Sequence, residues 1–321
     1  MLFSPRLPGL PRLFPLSCGC RPAAAGALDG PTRAFIGRGW GRPLWDDSSA
    51  VASCSAATEN SLLERLLVIT VLTCRGTGEP LGSPANLLAA VTNGLDPAKY
   101  EIGPDVDYPA SIGPANPQGR LDGCSEQQSI DAGVLALIAE IQSTPNLVGI
   151  LGYSLGALVV NRFLEAKARG QFPDCEVAWA ATIANPLRAA GDSIDSVSVG
   201  FGINGQHASW PGDIPVFEVA NPVDVICSCP QDSPLRTLAD SISAFGFAEL
   251  GGWSADLIDR IRRNQWQPTH SDLWLHPIRH WRAWSQAAAH MDGYLRGGAH
   301  NAAYRTDGYC DRLVAILNEF D

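Results

Sequence analysis

Ser154 lies in the run Gly152-Tyr153-Ser154-Leu155-Gly156. A serine hydroxyl attacks a carbonyl only when a base takes its proton and an acid orients that base. Its oxygen must also stand exposed on a turn so tight that its neighbours are nearly free of side chain. Gly152 and Gly156 meet that demand. The amide of Leu155, heading the next helix, then points at the oxyanion of a tetrahedral intermediate. Asp224 is the best-placed acid, because it follows the apolar run 214–220 within Asn221-Pro222-Val223-Asp224-Val225-Ile226-Cys227. Asp213 precedes that run and falls at the wrong end of it; Asp192 and Asp195 are weaker rivals. Six histidines compete for the base. His207 comes before Asp224, and His270, His276, His280 and His290 lie in a helical region. His276 and His280 are one helical turn apart but lack a third ligand, so no metal site is expected. His300 follows Gly297-Gly298-Ala299 on a loop leading into the terminal helix and is assigned as the base.

Such residues must be carried on a frame. Residues 66–72 form a continuous apolar run, as in a buried central strand, ending in the turn-rich Cys74-Arg75-Gly76-Thr77-Gly78-Glu79-Pro80. Further strands are expected at 100–108, 147–153, 175–183 and 214–220. Helices are expected at 84–94, 129–143, 155–169 and 310–320. Alternation at these lengths predicts an α/β fold: a three-layer sandwich of the α/β-hydrolase kind around a central parallel sheet. The order Ser, Asp, His, each on a loop after a strand, agrees with it.

Two stretches stand apart. Residues 1–60, with seven Pro and seven Gly in the first 45, are expected to be a disordered arm or extraneous leader. Prolines and arginines interrupt the apolar core that a secretory signal needs. Residues 233–297 read as a helical subdomain (235–247, 254–263, 277–296) inserted between Asp224 and His300. It holds five of the nine tryptophans. These form either its own aromatic core or an apolar wall beside the serine, with Trp281 and Trp284 as the first candidates for substrate contact.

Bulk properties narrow the function. A net charge of -10 without a basic stripe argues against nucleic acid. No run approaches the roughly 18 apolar residues of a membrane span. The nine cysteines are odd in number and thinly spread, compatible with one or two disulfides.

Taken together, Arg75-Gly76-Thr77-Gly78-Glu79-Pro80, Asp107-Tyr108-Pro109-Ala110-Ser111, Gly152-Tyr153-Ser154-Leu155-Gly156, Asn221-Pro222-Val223-Asp224 with Cys227, and His300-Asn301-Ala302-Ala303-Tyr304 resemble the cutinase superfamily. The likeness runs from about residue 66 to 321. Within that superfamily the chain looks most like the lysin B enzymes of mycobacteriophages, because 76 residues separate Asp224 from His300, an interval that is short in cutinases. The resemblance implies Ser154 as nucleophile, His300 as base, Asp224 as its orienter, and the amides of Thr77 and Leu155 as oxyanion hole. It implies a cofactor-free serine esterase acting on the mycolyl-arabinogalactan ester of the mycobacterial envelope. Such an enzyme is made in the infected host's cytoplasm and is expected to be a monomer. Leu155 stands where the family usually has Gln, and Cys74 where lysin B commonly has His. The rivals are a cellular actinobacterial cutinase-like or PE-PPE-type lipase, and an inactive envelope-binding protein on a hydrolase scaffold.

Overall fold

The computed structural model describes residues 68–120, 122–195, 200–236 and 277–320. The expected arm at 1–60 and the expected helices at 235–247 and 254–263 lie wholly or mostly outside them. Five strands form one parallel sheet: β1 (Ile69–Cys74), β2 (Tyr100–Asp105), β3 (Val148–Tyr153), β4 (Val177–Ile183) and β5 (Val216–Val219). Their order is β2-β1-β3-β4-β5. The chain steps one way from β1 to β2 and the other way from β3 onward. The carboxyl ends of β1 and β3 therefore flank a switch point, where open parallel sheets bind ligands.

Alternation along the strands divides the core. Leu72, Cys74, Val148 and Ile150 face α2 (Glu126–Ser143) and α3 (Leu155–Ala168). Val71, Leu151, Trp179 and Ile183 face α1 (Ala89–Thr92) and α6 (Tyr309–Glu319). Helices on both faces of a buried parallel sheet make the three-layer α/β-hydrolase architecture. α4 (Pro277–Leu295) packs Ala287, Met291 and Tyr294 against Ile203, Val225 and Ile226. The short α5 (Ala302–Thr306) follows His300. Among the described residues no helix is long and apolar enough to cross a membrane.

Local chemistry sets the element ends. α2 begins three residues earlier than its apolar periodicity suggests, because Ser125 and Gln128 close a capping box. The helical pattern over 84–94 condenses to the four residues of α1. There the Leu87 amide is captured by the Glu79 carboxylate at 2.7 Å, and Asn86 donates to Pro80 O at 2.7 Å. Side chains that bond nearby backbone offer the chain an alternative to helix. Cys74, Cys175, Cys227, Cys229 and Cys310 are buried free thiols, so none of these five forms one of the expected disulfides.

The elbow depends on contact that tolerates no side chain. A Cβ on Gly156 would lie 1.8 Å from Cys74 O, and one on Gly152 would lie 2.8 Å from Gly156 O. Gly156→Ala is therefore expected to destabilise the fold by about 3 kcal/mol or more, by forcing α3 away from β1. Gly212, whose Cβ would meet nothing within 4 Å, provides the control. Its replacement by Ala should stay within about 0.5 kcal/mol in the same urea titration.

Candidate active site

Ser154 leaves β3 with φ 53° and ψ -113°, a conformation held by its amide donating to Ile183 O at 2.9 Å. Non-glycine residues with positive φ are uncommon and persist where their surroundings over-determine them. Here β4 on one side and the glycine contacts on the other do so. The serine is thereby presented at the sheet edge, as the strand–turn–helix reading of its motif requires.

The structure brings Ser154, His300 and Asp224 together. His300 Nε2 lies 2.9 Å from Ser154 Oγ, and Nδ1 lies 2.9 Å from Asp224 Oδ2. A carboxylate facing Nδ1 keeps the proton there and leaves the Nε2 lone pair toward the hydroxyl. Asp224 is fully buried, and a buried carboxylate is tolerable only when hydrogen bonds replace its water. Oδ1 accepts from the Ile226 amide at 3.0 Å, and Oδ2 accepts from the Tyr304 hydroxyl at 2.9 Å. The Cys227 thiol lies 3.6 Å from Oδ2. Burial, reinforced by the Asp224 charge, pushes both the Cys227 thiol and the Tyr304 phenol up, so each stays a neutral donor.

The histidine is fixed as firmly as the acid. The His300 carbonyl accepts from Tyr153 OH at 2.7 Å, and the carbonyl before it, Ala299 O, accepts from Asn221 Nδ2 at 2.9 Å. Its ring sits between Tyr153 and Tyr294, with centroids 5.4 and 5.2 Å away. Tyr304 also accepts the Asn221 amide at 3.1 Å, so one hydroxyl ties the acid's loop to the histidine's.

Thr77 and Leu155 lie on the loop after β1 and at the head of α3, both on the wall of a cleft of about 330 Å³ that contains Ser154 and His300. Among the described residues neither amide donates to a protein acceptor. Unengaged amides on the wall of a cleft that holds a serine oxygen are the kind of donor an oxyanion needs. The Thr77 loop is braced by buried Arg75, which donates to Glu79 O at 2.9 Å, to Val106 O at 2.8 Å and to Tyr108 O. Glu79 closes the same loop by accepting from the Gly76 amide at 2.7 Å.

The other expectations fall elsewhere. Asp192 meets His207 at 3.3 Å and Asp195 meets Arg312 at 2.6 Å, so neither approaches His300 through its paired group. Trp281 is 74% exposed and does not line the cleft. It lies six positions before Ala287, about 120° around the helix from the packed face. α4 instead contributes Tyr294 to the cleft. The side chain of Trp284 is outside the described residues. Periodicity offered no sign of Tyr153, Tyr294, Glu79 or Asn221. Tyr153, Glu79 and Asn221 lay within the motifs that resemble the cutinase superfamily, and that was their only signal; Tyr294 had none.

No protein-family model matches the chain, and no curated protein matches it. Among solved structures it is similar to an acetyl xylan esterase in an iodinated complex: 18% identity, 58% of this chain and 97% of that one, TM-score 0.39. It is similar to the catalytic core domain of acetyl xylan esterase from Trichoderma reesei at 21% identity, covering 60% and 98%, TM-score 0.39. A cutinase-like protein from Cryptococcus sp. shares 19% identity over 56% and 91%, TM-score 0.37. Likenesses this remote carry no argument about activity. The fold stands on its own strand order, and the site on its own distances.

Two outcomes are expected. Tyr304→Phe removes a donor to buried Asp224 and the acceptor of the Asn221 amide, and should lower unfolding free energy by about 1–3 kcal/mol. Tyr309→Phe, which loses one 3.3 Å bond to Asn221, should stay within about 0.5 kcal/mol.

The second concerns pH. Burial pushes the Glu79 carboxyl above its ordinary value, opposed by the amides of Leu87 and Gly76. Its stabilising contribution is therefore full below the unfolded value of about 4.3 and fades as pH rises through the higher folded value. Glu79→Gln does not titrate. The wild type's advantage over it should shrink as pH rises from about 4 in paired urea titrations. An advantage that grows with pH contradicts the account.

Proposed function

We propose that this chain is a serine carboxylic-ester hydrolase in which Ser154, His300 and Asp224 are the nucleophile, base and orienting acid. The observation that carries the reading is the hydrogen-bonded chain from Asp224 through His300 to Ser154, 2.9 Å at each step, at a cleft walled by Thr77 and Leu155. Ser154 Oγ attacks the acyl carbonyl while His300 Nε2 takes its proton. The Thr77 and Leu155 amides receive the oxyanion. Collapse of the intermediate expels the alcohol, which takes the proton from Nε2, and leaves an ester on Ser154. Water, deprotonated by the same nitrogen, attacks that ester; the acid leaves and the hydroxyl of Ser154 is restored. Asp224 holds the Nδ1 proton and stabilises the imidazolium at each transfer without being protonated itself.

The finer reading is a lysin B type enzyme, whose substrate is the mycolyl ester of arabinogalactan in the mycobacterial envelope. Three features support it: the motifs that resemble that family, the 76-residue interval between Asp224 and His300, and α4 within that interval supplying Tyr294 to the cleft. A long, branched acyl chain needs apolar surface beyond the serine, and only an added element flanking the sheet edge extends it. The cleft's volume of about 330 Å³ favours a second reading, an esterase for short acyl groups.

Ser154→Ala and His300→Ala are expected to lower ester turnover by three or more orders of magnitude. A fluorophosphonate should label the wild type on Ser154; absence of both labelling and turnover leaves an inactive envelope-binding protein. Purified mycolyl-arabinogalactan-peptidoglycan and a butyrate ester are then compared. Fatty acid released from the wall material, and lost in Ser154→Ala, supports the lysin B reading. Butyrate hydrolysis alone moves the assignment to a short-chain esterase.

A further inference from the structure

A second cluster of chemistry-bearing side chains lies outside the cleft, and the hydrolase reading does not use it. Asp192, His207 and Glu218 each bring a ligand atom within 4.8 Å of the other two, and none of the three lines the catalytic cleft. Asp192 and His207 come from the long connection between β4 and β5, and Glu218 from β5.

The hydrogen bonds of this cluster leave one of its buried acceptors bare. Glu218 is 4% exposed. Its Oε1 accepts from Thr182 Oγ1 at 2.9 Å and from Asn185 Nδ2. Its Oε2 is buried without a hydrogen-bond partner among the described residues. A buried carboxylate oxygen left bare is among the least favourable arrangements a folded chain can hold. His207 is oriented from two sides. Its ring stacks on Trp210 with centroids 3.5 Å apart and planes 6° apart, and Nδ1 lies 2.7 Å from Ala208 O. A carbonyl only accepts, so Nδ1 carries the hydrogen and the Nε2 lone pair of a neutral ring is turned outward. That lone pair faces Asp192 Oδ2 at 3.3 Å. Two acceptors at this distance, with a third bare oxygen nearby, call for a cation between them or a proton on one of them. The nearby Arg188 guanidinium donates to the carbonyls of Cys227, Gly200 and Asp192, which braces the same connection.

We propose that Asp192, His207 and Glu218 bind one divalent transition-metal ion, zinc first, which staples the β4–β5 connection to β5. One imidazole and two carboxylates form a nitrogen–oxygen set of the kind zinc accepts, with water in the fourth position. The 3.3 Å from His207 Nε2 to Asp192 Oδ2 matches the ligand-to-ligand spacing of a tetrahedral site with bonds of about 2.0–2.1 Å. The Nδ1 contact to Ala208 O is the outer-shell bond that fixes a ligating histidine in its metal-binding tautomer. Access is open: Asp192 and Glu218 line a surface cleft of about 440 Å³, and the Asp192 side chain is 48% exposed. The connection so pinned also bears Pro186, Ile203 and Asn204, which wall the catalytic cleft. Its described main-chain bonds to β5 are Ala184 N to Val219 O at 3.0 Å and Ile194 N to Glu218 O at 2.8 Å. The ion would add a further tie at Glu218 and hold one wall of the catalytic cleft without taking part in the chemistry.

The test uses the full chain, stripped with chelator and dialysed, then titrated with zinc, with manganese and calcium in parallel. One zinc per chain is expected, with a rise in melting temperature that chelator reverses. Asp192→Asn, His207→Gln and Glu218→Gln should each weaken zinc binding at least tenfold and remove the rise. Tight binding of the same stoichiometry in the wild type and all three variants would place the ion elsewhere and overturn the proposal. No binding by the wild type below about 100 μM zinc would mean that a proton satisfies the cluster, and would also overturn it. Should Glu218→Gln fail to fold, the half-exposed Asp192→Asn decides the matter alone. None of these readouts depends on ester turnover, so the hydrolase reading stands or falls separately.

Discussion

A carboxylate sealed from water is the constraint around which the candidate active site is built. Asp224 has no exposed surface, and on the proposed reading its carboxylate holds an imidazole in place. Each of its oxygens therefore needs a donor. The Ile226 amide is supplied by the turn immediately after it, and His300 and Tyr304 come from beyond α4. Satisfying the acid thus fixes where the C-terminal part of the chain must lie. The tie between Tyr304 and the Asn221 amide, and that between Asn221 and Ala299 O, follow from the same demand. Removing one of these donors leaves a buried charge exposed to a medium that solvates it poorly, which is far more damaging than losing a surface pair.

Much of this frame was legible from residue order alone. β1, β3, β4 and β5 were visible as apolar runs, because strands buried on both faces need continuous hydrophobicity and the sequence provides it. The elbow was visible because its geometry restricts two neighbouring positions to glycine. Asp224 and His300 were selected by chain order and by their position after a strand or before the last helix. The remainder depended on contacts between distant segments. The helix expected over 84–94 lost its first turns to Glu79, a side chain eight positions before the amide it captures. Trp281 was expected at the cleft because it sits in the inserted stretch. Which face of a helix is buried depends on what it packs against, and α4 packs through Ala287 and Met291.

The cluster of Asp192, His207 and Glu218 shows the same limit from the other side. Asp192 entered the sequence reading only as a rival acid and His207 only as a histidine in the wrong order. Glu218 sat unnoticed inside an apolar run. Spacings of fifteen and eleven residues across a loop and a strand carry no metal signature, unlike one-turn pairs on a helix. Their proximity arises because the β4–β5 connection doubles back over β5. What sets them apart is that one of them, Glu218, carries a buried oxygen with no hydrogen-bond partner among the described residues.

The C-terminal helix has a temporal meaning as well. α6 is fastened to the first strand–helix unit of the described chain: Asn318 accepts the Asp96 amide, Lys99 Nζ donates to the carbonyls of Asn318 and Phe320, and Tyr100 OH donates to Leu317 O. These bonds join residues more than 200 positions apart. Closing so long a loop comes late in folding, because its entropy is spent before the contacts return anything. His300 lies just ahead of that helix. A chain in which this helix has not yet docked can therefore hold a formed elbow and a placed Ser154 while His300 Nε2 is still absent from its side. On the proposed reading, any reactivity toward esters waits until this helix has docked, and the partly folded stages before it are chemically quiet.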